Sequence, residues 1–200
     1  MIVKLTAARI NSVSAFLFNS GIVVSGISFP AFVKALCIDS IRERGPVIFE
    51  YCLNGETVGA IVITHGTPVF WKCFFARHPL VALRFIFSKF YSYFINGKEK
   101  TEIKAPLISQ DHKREHNLLW NSKSIEIARC LLVTVNPSFR GRNIATNLYL
   151  ATFTQLKSQG VKTLLARISS SNYSSLSLHR SIDFRLNKIG NFWQAVKDIA

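Results

Sequence analysis

The stretch VTVNPSFRGRNIATNL, residues 133–148, decides how the chain folds. Its β-branched start completes a strand predicted over 124–135, and Pro137 ends that strand because proline cannot donate to a sheet. The apolar spacing then predicts a helix over 145–159, with Gly160 as its C-terminal stop. The stretch therefore encodes a strand, a tight basic loop and a helix in direct succession.

The loop in this stretch has the properties of an anion-binding site. The first backbone N–H groups of a helix have no partner within the helix, and the helix dipole adds positive potential beside them. Arg140 and Arg142 add guanidinium groups, which form charge-assisted hydrogen bonds with phosphate oxygens. The loop has neither the Gly-Lys-Ser/Thr ending of a Walker loop nor the G-x-G-x-x-G spacing. We interpret it as a pyrophosphate cradle of another kind.

The composition indicates a single globular domain with a cationic surface. Of 200 residues, 48% are hydrophobic and 18% are charged, which excludes a disordered chain. The formal net charge of +14 favours anionic partners such as nucleic acid, phospholipid or a polyphosphate cofactor. The basic residues do not follow the aromatic interleaving of a known nucleic-acid module, so we expect no specific nucleic-acid partner. The 16 Phe residues suggest a buried partner surface, such as a homodimer contact.

The cysteines and the longest apolar stretch indicate where in the cell the protein is expected to function. The four cysteines form no C-x-x-C pair, and no His completes a zinc spacing, so we expect no metal site. We expect the cysteines to be free thiols in a reducing cytoplasm. Charged residues interrupt the apolar stretch 74–95, so we expect no transmembrane segment. The N-terminal region lacks a clear cleavage site, which disfavours a signal peptide.

The remaining sequence alternates helical and strand patterns. Asn54 and Gly55 are the strongest hairpin signal, because both central positions of such a turn need positive φ. Strand, helix and strand over 124–168 imply an α/β sheet with a crossover connection. The patterns predict helices at 5–18, 29–41, 145–159 and 172–182, and strands at 47–51, 58–64, 124–135, 161–168, 184–189 and 192–197.

Residues 79–95 predict an aromatic helix with one narrow polar stripe. Packing of this helix against the sheet is the simplest interpretation, and a substrate lid or a helix on a membrane surface are the alternatives. Residues 96–123 are polar and mixed in charge, which predicts a long loop.

Two motifs resemble the GNAT superfamily of acetyl-CoA-dependent N-acyltransferases. The family's pyrophosphate loop reads Arg/Gln-x-x-Gly-x-Gly/Ala after a strand ending in Val-x-Pro, and Arg140 and Ala145 match its two ends. Asn143 replaces the middle glycine, and Asn is the other residue that best tolerates a left-handed backbone. Residues 172–184 resemble the family's Asn-x-x-Ala/Ser-x-x-Leu-Tyr/His-x-x-x-Gly-Phe segment, with Asp183 in place of its glycine.

The resemblance implies a fold of the α/β (α+β) class in one domain over 1–200. Its mixed, mostly antiparallel sheet would be flanked by helices and splay between strands 124–135 and 161–168, and residues 65–123 would be a helical insertion that shapes the acceptor side. The cofactor would be acetyl-CoA, with its pantetheine arm along the first of these strands. The implied cofactor-binding residues are Val133, Val135, Arg140, Gly141, Arg142, Asn143, Ile144, Ala145, Asn172 and Ser175.

The resemblance also suggests catalytic residues. His179 stands where relatives often have a tyrosine that protonates the leaving thiolate, and packing at a helix end is its alternative role. Many relatives have a glutamate base near the start of the cofactor strand. Arg129 aligns there instead and would bind an anionic group of the acceptor. Glu126 is the nearest carboxylate and the other catalytic candidate, although strand alternation puts it on the opposite face.

The resemblance implies transfer of an acetyl group to a primary amine of a small molecule or amino sugar by direct attack. Asn143 and Arg129 depart from the family pattern and motivate an alternative, a catalytically silent protein that binds acyl-CoA as a sensor or scaffold. A nucleic-acid binder is the third hypothesis, carried by the net charge alone.

Overall fold

The computed structural model describes residues 1–20, 30–42, 45–65, 67–84, 86 and 126–199. Within these residues, seven strands form one sheet in the order β1-β2-β3-β4-β5-β7-β6. The strands are β1 Ile2–Lys4, β2 Val47–Leu53, β3 Glu56–His65, β4 Ile127–Val135, β5 Thr163–Ser169, β6 Arg185–Ile189 and β7 Phe192–Asp198. The helices are α1 Ile10–Asn19, α2 Pro30–Ser40, α3 Thr67–Arg77, α4 Ile144–Ser158 and α5 Tyr173–Ser181.

The sheet opens between β4 and β5, its one parallel pair among the described strands. These strands pair only as far as Cys130 and Ala166. Beyond that point β4 remains paired with β3 up to Val135, whereas β5 continues along β7. All other pairs are antiparallel. The predicted mixed, mostly antiparallel and splayed sheet is therefore confirmed.

Helices cover both faces of the sheet, because its central strands carry apolar side chains on both sides. Ile61 and Ile63 of β3 face α4 and α5, whereas Ala60 and Val62 face α1, α2 and α3. Alternation of side chains along a strand produces this division. The first face is here called the cofactor face and the second the α1–α3 face.

Glycine is required at two positions, one in the turn before β3 and one within that strand. Asn54 and Gly55 have φ of 51° and 83°, which confirms the predicted hairpin turn. Gly59 lies under the start of α4, where an added Cβ would stand 2.8 Å from the Cγ2 atom of Ile144. Glycine at this position lets α4 sit directly against the sheet.

The structure differs from the sequence prediction mainly before β4. Strand β1 was missed because it has only three residues and exists through its pairing with β2. Helix α3 was missed because its apolar sequence runs on past residue 77, where Pro79 opens a separate helical segment. That segment is helical at 79–84 and 86, whereas the rest of the predicted 79–95 helix and the predicted loop 96–123 lie outside the described residues. No helix in the described ranges is long and apolar enough to cross a membrane.

Candidate functional site

The loop between β4 and α4 adopts two left-handed residues. Asn136 begins it by accepting a hydrogen bond from the Ser138 N–H at 3.1 Å. Gly141 then has φ of 77° and Asn143 has φ of 56°. The left-handed conformation expected for Asn143 is therefore present. This geometry lets the loop turn tightly into α4, so that the unpaired N–H groups of the first helical turn face outward.

The open edge of β4 supplies main-chain hydrogen-bonding groups beside this loop. The Asn136 N–H donates to the Val58 carbonyl on β3 at 2.8 Å. Because main-chain groups alternate in direction along a strand, those of Val133 and Val135 face the gap left by β5. A β-bulge precedes them, since Leu132 pairs with Val62 and Cys130 with Ile63, which leaves Leu131 unmatched.

A cavity of about 620 Å³ joins the open strand edge, the loop and α5. Nine of the ten cofactor-binding residues expected from the sequence line it: Val133, Val135, Arg140, Gly141, Asn143, Ile144, Ala145, Asn172 and Ser175. The tenth, Arg142, does not, and its guanidinium carbon lies 5.2 Å from the centroid of the Phe139 ring. The structure thus brings together residues from two motifs that are 27 positions apart at their nearest, Ala145 and Asn172.

Helix α5 adds hydroxyl groups that the sequence analysis missed. Ser174, Ser177 and Ser181 line the cavity opposite β4. Their separations of three and four residues place them on one helical face, and this spacing was the signal in the sequence. Asn172 caps the helix, because its Oδ1 atom accepts a hydrogen bond from the Ser175 N–H at 3.1 Å. Its side-chain amide N–H₂ remains the group able to donate to a ligand.

His179 lies behind the cavity wall, in the core, with 2% of its surface exposed. Its Nδ1 atom is 2.7 Å from the Ser175 carbonyl oxygen, which can only accept, so Nδ1 carries the proton. Its Nε2 atom then accepts from the Tyr149 hydroxyl at 2.8 Å. Burial lowers the pKa of His179, so the ring is neutral near pH 7.

Asn172 and His179 are seven residues apart, a spacing of two helical turns that predicts one shared face, but the structure separates their side chains. Asn172 is the cap before α5, whereas Leu176 and His179 form the buried face of the helix. The His179 ring also packs edge-on against Phe184 and Tyr149, with centroids 4.8 and 5.3 Å apart. This arrangement resembles a packed core histidine, the second role that the sequence allowed.

The other catalytic and substrate candidates lie apart from the cavity. Glu126 precedes β4, and its half-exposed carboxylate pairs with the Lys162 Nζ atom at 2.8 Å. Arg129 is fully buried and belongs to the α1–α3 face, because its neighbours Ala128 and Cys130 point to the cofactor face. Burial lowers the pKa of Arg129 to about 10, which keeps it cationic at neutral pH. Neither residue lines the cavity.

In the part of the chain that the structure describes, no group of three or more His, Cys, Asp or Glu residues could hold a metal ion. The four cysteines are free thiols, as expected from their spacing.

The architecture is similar to that of solved acetyltransferases. An acetyltransferase of the GNAT family from Streptococcus pneumoniae is 10% identical with a TM-score of 0.61, and the match covers 100% of this chain and 99% of that one. The PaiA N-acetyltransferase from Thermoplasma acidophilum, solved in complex with coenzyme A, is 10% identical with a TM-score of 0.58, covering 99% and 98%. The ribosomal-protein-S18-alanine N-acetyltransferase from Escherichia coli is 12% identical with a TM-score of 0.56, covering 100% and 94%.

Similarity at the level of sequence is much weaker than similarity of structure. No protein-family model matches the sequence, and no curated protein matches it. The structural matches nevertheless extend over almost the whole of each chain. The protein therefore has the GNAT fold.

Proposed function

We propose that the protein is an N-acetyltransferase that transfers the acetyl group of acetyl-CoA to a primary amine. One observation carries this proposal: a single cavity joins the open edge of β4 to the N-terminus of α4. An open strand edge suits an extended amide-containing chain, and a helix N-terminus suits a pyrophosphate. The pantetheine arm and pyrophosphate of CoA have this order, and one protein of the same fold was solved with coenzyme A.

The residues of the cavity fit this cofactor chemically. Among the described residues, no Asp or Glu lines the cavity, whereas Arg140 stands at its loop end. We propose that Arg140 and the N–H groups at Asn143, Ile144 and Ala145 hold the pyrophosphate, next to Gly141. Arg142 then contributes at longer range.

The other end of the cavity fits the arm and the reacting group. Val133 and Val135 would bond the arm through their main chain, with Asn172 and Ser175 on the opposite wall. Bound acetyl-CoA would supply an acetyl group activated as a thioester. The N–H groups of an open strand can polarise its carbonyl, because fixed donors stabilise negative charge on oxygen.

The contacts of the catalytic candidates decide their place in the proposal. Glu126 is not retained as a base, because Lys162 holds its carboxylate outside the cavity. We assign His179 a structural role, because both ring nitrogens are bonded inside the core. The complete burial of Arg129 favours a structural role over contact with the acceptor.

For the acceptor we propose a small primary amine, including amino sugars, in the cytoplasm. The four free thiols support a reducing compartment. Because one protein of this fold is a ribosomal-protein-S18-alanine N-acetyltransferase, a test panel must contain peptides as well as amines. Transfer confined to peptide N-termini would replace the small-molecule acceptor in this proposal.

The test combines binding with turnover. Thermal unfolding with acetyl-CoA, CoA and an oligonucleotide measures which ligand binds the folded chain. Chromatography then measures CoA release over the acceptor panel. Stabilisation by CoA with release on addition of an amine is the expected result. Stabilisation by the oligonucleotide alone would contradict the proposal.

A silent acyl-CoA binder is the second candidate, favoured by the lack of a carboxylate among those cavity-lining residues that the structure describes. CoA binding without CoA release on the whole panel would select it over the enzyme.

A further inference from the structure

The helical segment after α3 exposes three large apolar side chains. Leu80, Leu83 and Ile86 are 80%, 52% and 50% exposed. Their spacing of three residues places them along one stripe of the helix, here called the apolar ridge. A stripe of this kind is a recognised feature of a docking surface, whereas a single exposed leucine needs no explanation.

The protein core fixes the direction in which the apolar ridge points. Val81 lies on the other side of the same helical segment, is 9% exposed and packs into the core of the α1–α3 face. The preceding helix α3 is anchored by Phe74, whose ring meets that of Phe32 with centroids 5.7 Å apart. The apolar ridge is therefore held outward by the fold.

Among the described residues of α3 and the ridge segment, the exposed charges are basic; the Asp39 carboxylate, whose Oδ2 atom lies 3.5 Å from the Arg77 Nη2 atom, is fully buried. The sequence contains no Asp or Glu between Glu56 and Glu99. Lys72, Arg77 and Arg84 lie in α3 and the ridge segment, and all three are exposed. Exposed apolar side chains beside basic residues are the composition of helices that lie at a membrane surface.

The same charges argue against a second copy of the chain as the occupant. A symmetric pair would bring Lys72, Arg77 and Arg84 of each copy towards those of the other, and like charges brought together oppose association. A bilayer with anionic lipids has the complementary charge, and basic residues gain favourable energy near it. The formal net charge of +14 adds to this attraction at longer range.

From this exposure, spacing and charge, we propose that Leu80, Leu83 and Ile86 dock the protein on an anionic lipid bilayer. We place the segment in the interface, because its described residues, 79–84 and 86, are far fewer than the roughly 20 that cross a bilayer. Docking is independent of acetyl transfer and does not require that the proposed activity exists.

Cosedimentation with lipid vesicles tests the docking. The purified chain should bind vesicles of equimolar phosphatidylcholine and phosphatidylglycerol, bind phosphatidylcholine vesicles weakly, and lose binding as salt rises. The double variant Leu80→Gln/Leu83→Gln should lower the partition coefficient on the anionic vesicles at least about tenfold, because it removes two apolar anchors. Arg140→Ala should lower vesicle binding far less than the ridge variant, because it removes one charge and no apolar anchor, which separates docking from cofactor binding.

A matched pair of variants controls for general loss of apolar surface. Leu53 and Leu150 are 37% and 53% exposed and lie elsewhere on the fold. Leu53→Gln/Leu150→Gln should bind vesicles like the parent chain, and both double variants should keep its melting temperature. Failure of the parent to bind anionic vesicles, or equal loss in both double variants, overturns the proposal. It is also overturned if sedimentation shows a dimer that only the ridge variant dissociates.

Discussion

At the scale of single residues, Arg140 and Arg142 differ in position although both lie in the basic loop. Arg140 lines the cavity, whereas Arg142 packs over Phe139. We expect Arg140→Ala to weaken CoA binding by about 1–3 kcal/mol, the contribution of a hydrogen bond to a charged group. Arg142→Ala should weaken it less.

Titration calorimetry with CoA measures both effects. Lys157→Ala serves as the control, because it removes a cation from the far end of α4. Equal losses in the Arg140 and Lys157 variants would show that net charge, and not the loop, binds the ligand.

The left-handed backbone of Asn143 gives a second residue-level prediction. At φ of 56°, glycine is unstrained and a β-branched side chain is strongly disfavoured. Asn143→Gly should therefore keep or strengthen CoA binding, whereas Asn143→Val should weaken it and lower the melting temperature. Calorimetry and thermal unfolding compare the two variants. Identical behaviour would mean that the loop conformation does not control the site.

His179 provides a test that separates a structural role from a catalytic one. His179→Ala removes a buried ring and leaves the Tyr149 hydroxyl with only the weaker acceptor Cys130 Sγ, 3.3 Å away, so we expect a loss of stability of about 2–4 kcal/mol. If acetyl transfer is observed, its rate per folded molecule should stay close to that of the parent. Single-turnover transfer and the melting temperature are measured on the same preparation. A stable variant with a rate about 10²-fold lower or more would restore the general-acid role.

At the scale of elements, the contact between β3 and α4 positions the cofactor loop. An added Cβ at Gly59 would lie 2.8 Å from Ile144, the first residue of α4. Gly59→Ala should displace the N-terminus of the helix and weaken CoA binding, although residue 59 itself does not line the cavity. Gly55→Ala, in the hairpin turn, has open space around it and should leave CoA affinity unchanged.

Calorimetry of the two glycine variants separates these effects. Both substitutions should lower the melting temperature, the second because Gly55 has φ of 83°. Unchanged CoA affinity in Gly59→Ala would show that α4 adjusts without moving the loop.

At the scale of the whole molecule, burial of neutral His179 links stability to pH. The pKa of His179 is lower in the folded chain than its usual value of 6.5. The unfolded chain therefore takes up a proton first as pH falls, and stability is lost below about pH 6.5. Thermal unfolding should show this acid loss in the parent chain and a smaller loss in His179→Gln. Parallel pH profiles would indicate that the histidine is protonated equally in both states.

Local sequence determined the parts of the fold that depend on backbone preference. The turn at Asn54 and Gly55, the end of β4 before Pro137 and the left-handed Asn143 are properties of a few adjacent residues, and each is present in the structure. The order of strand, loop and helix around the cavity follows from the same local signals. For this reason nine of ten expected cofactor residues line one cavity.

Tertiary structure decided which side chains reach the cavity. Helical spacing could not show that His179 turns towards Tyr149, because that direction depends on β4 and α4 packing beneath α5. The pairing of Glu126 with Lys162 and the existence of β1 also rest on contacts between distant parts of the sequence. The sequence by itself determined where the chain turns and where an anion can bind. Tertiary packing decided which titratable side chains reach the cavity, because it buries His179 and Arg129 and pairs Glu126 with Lys162 outside it.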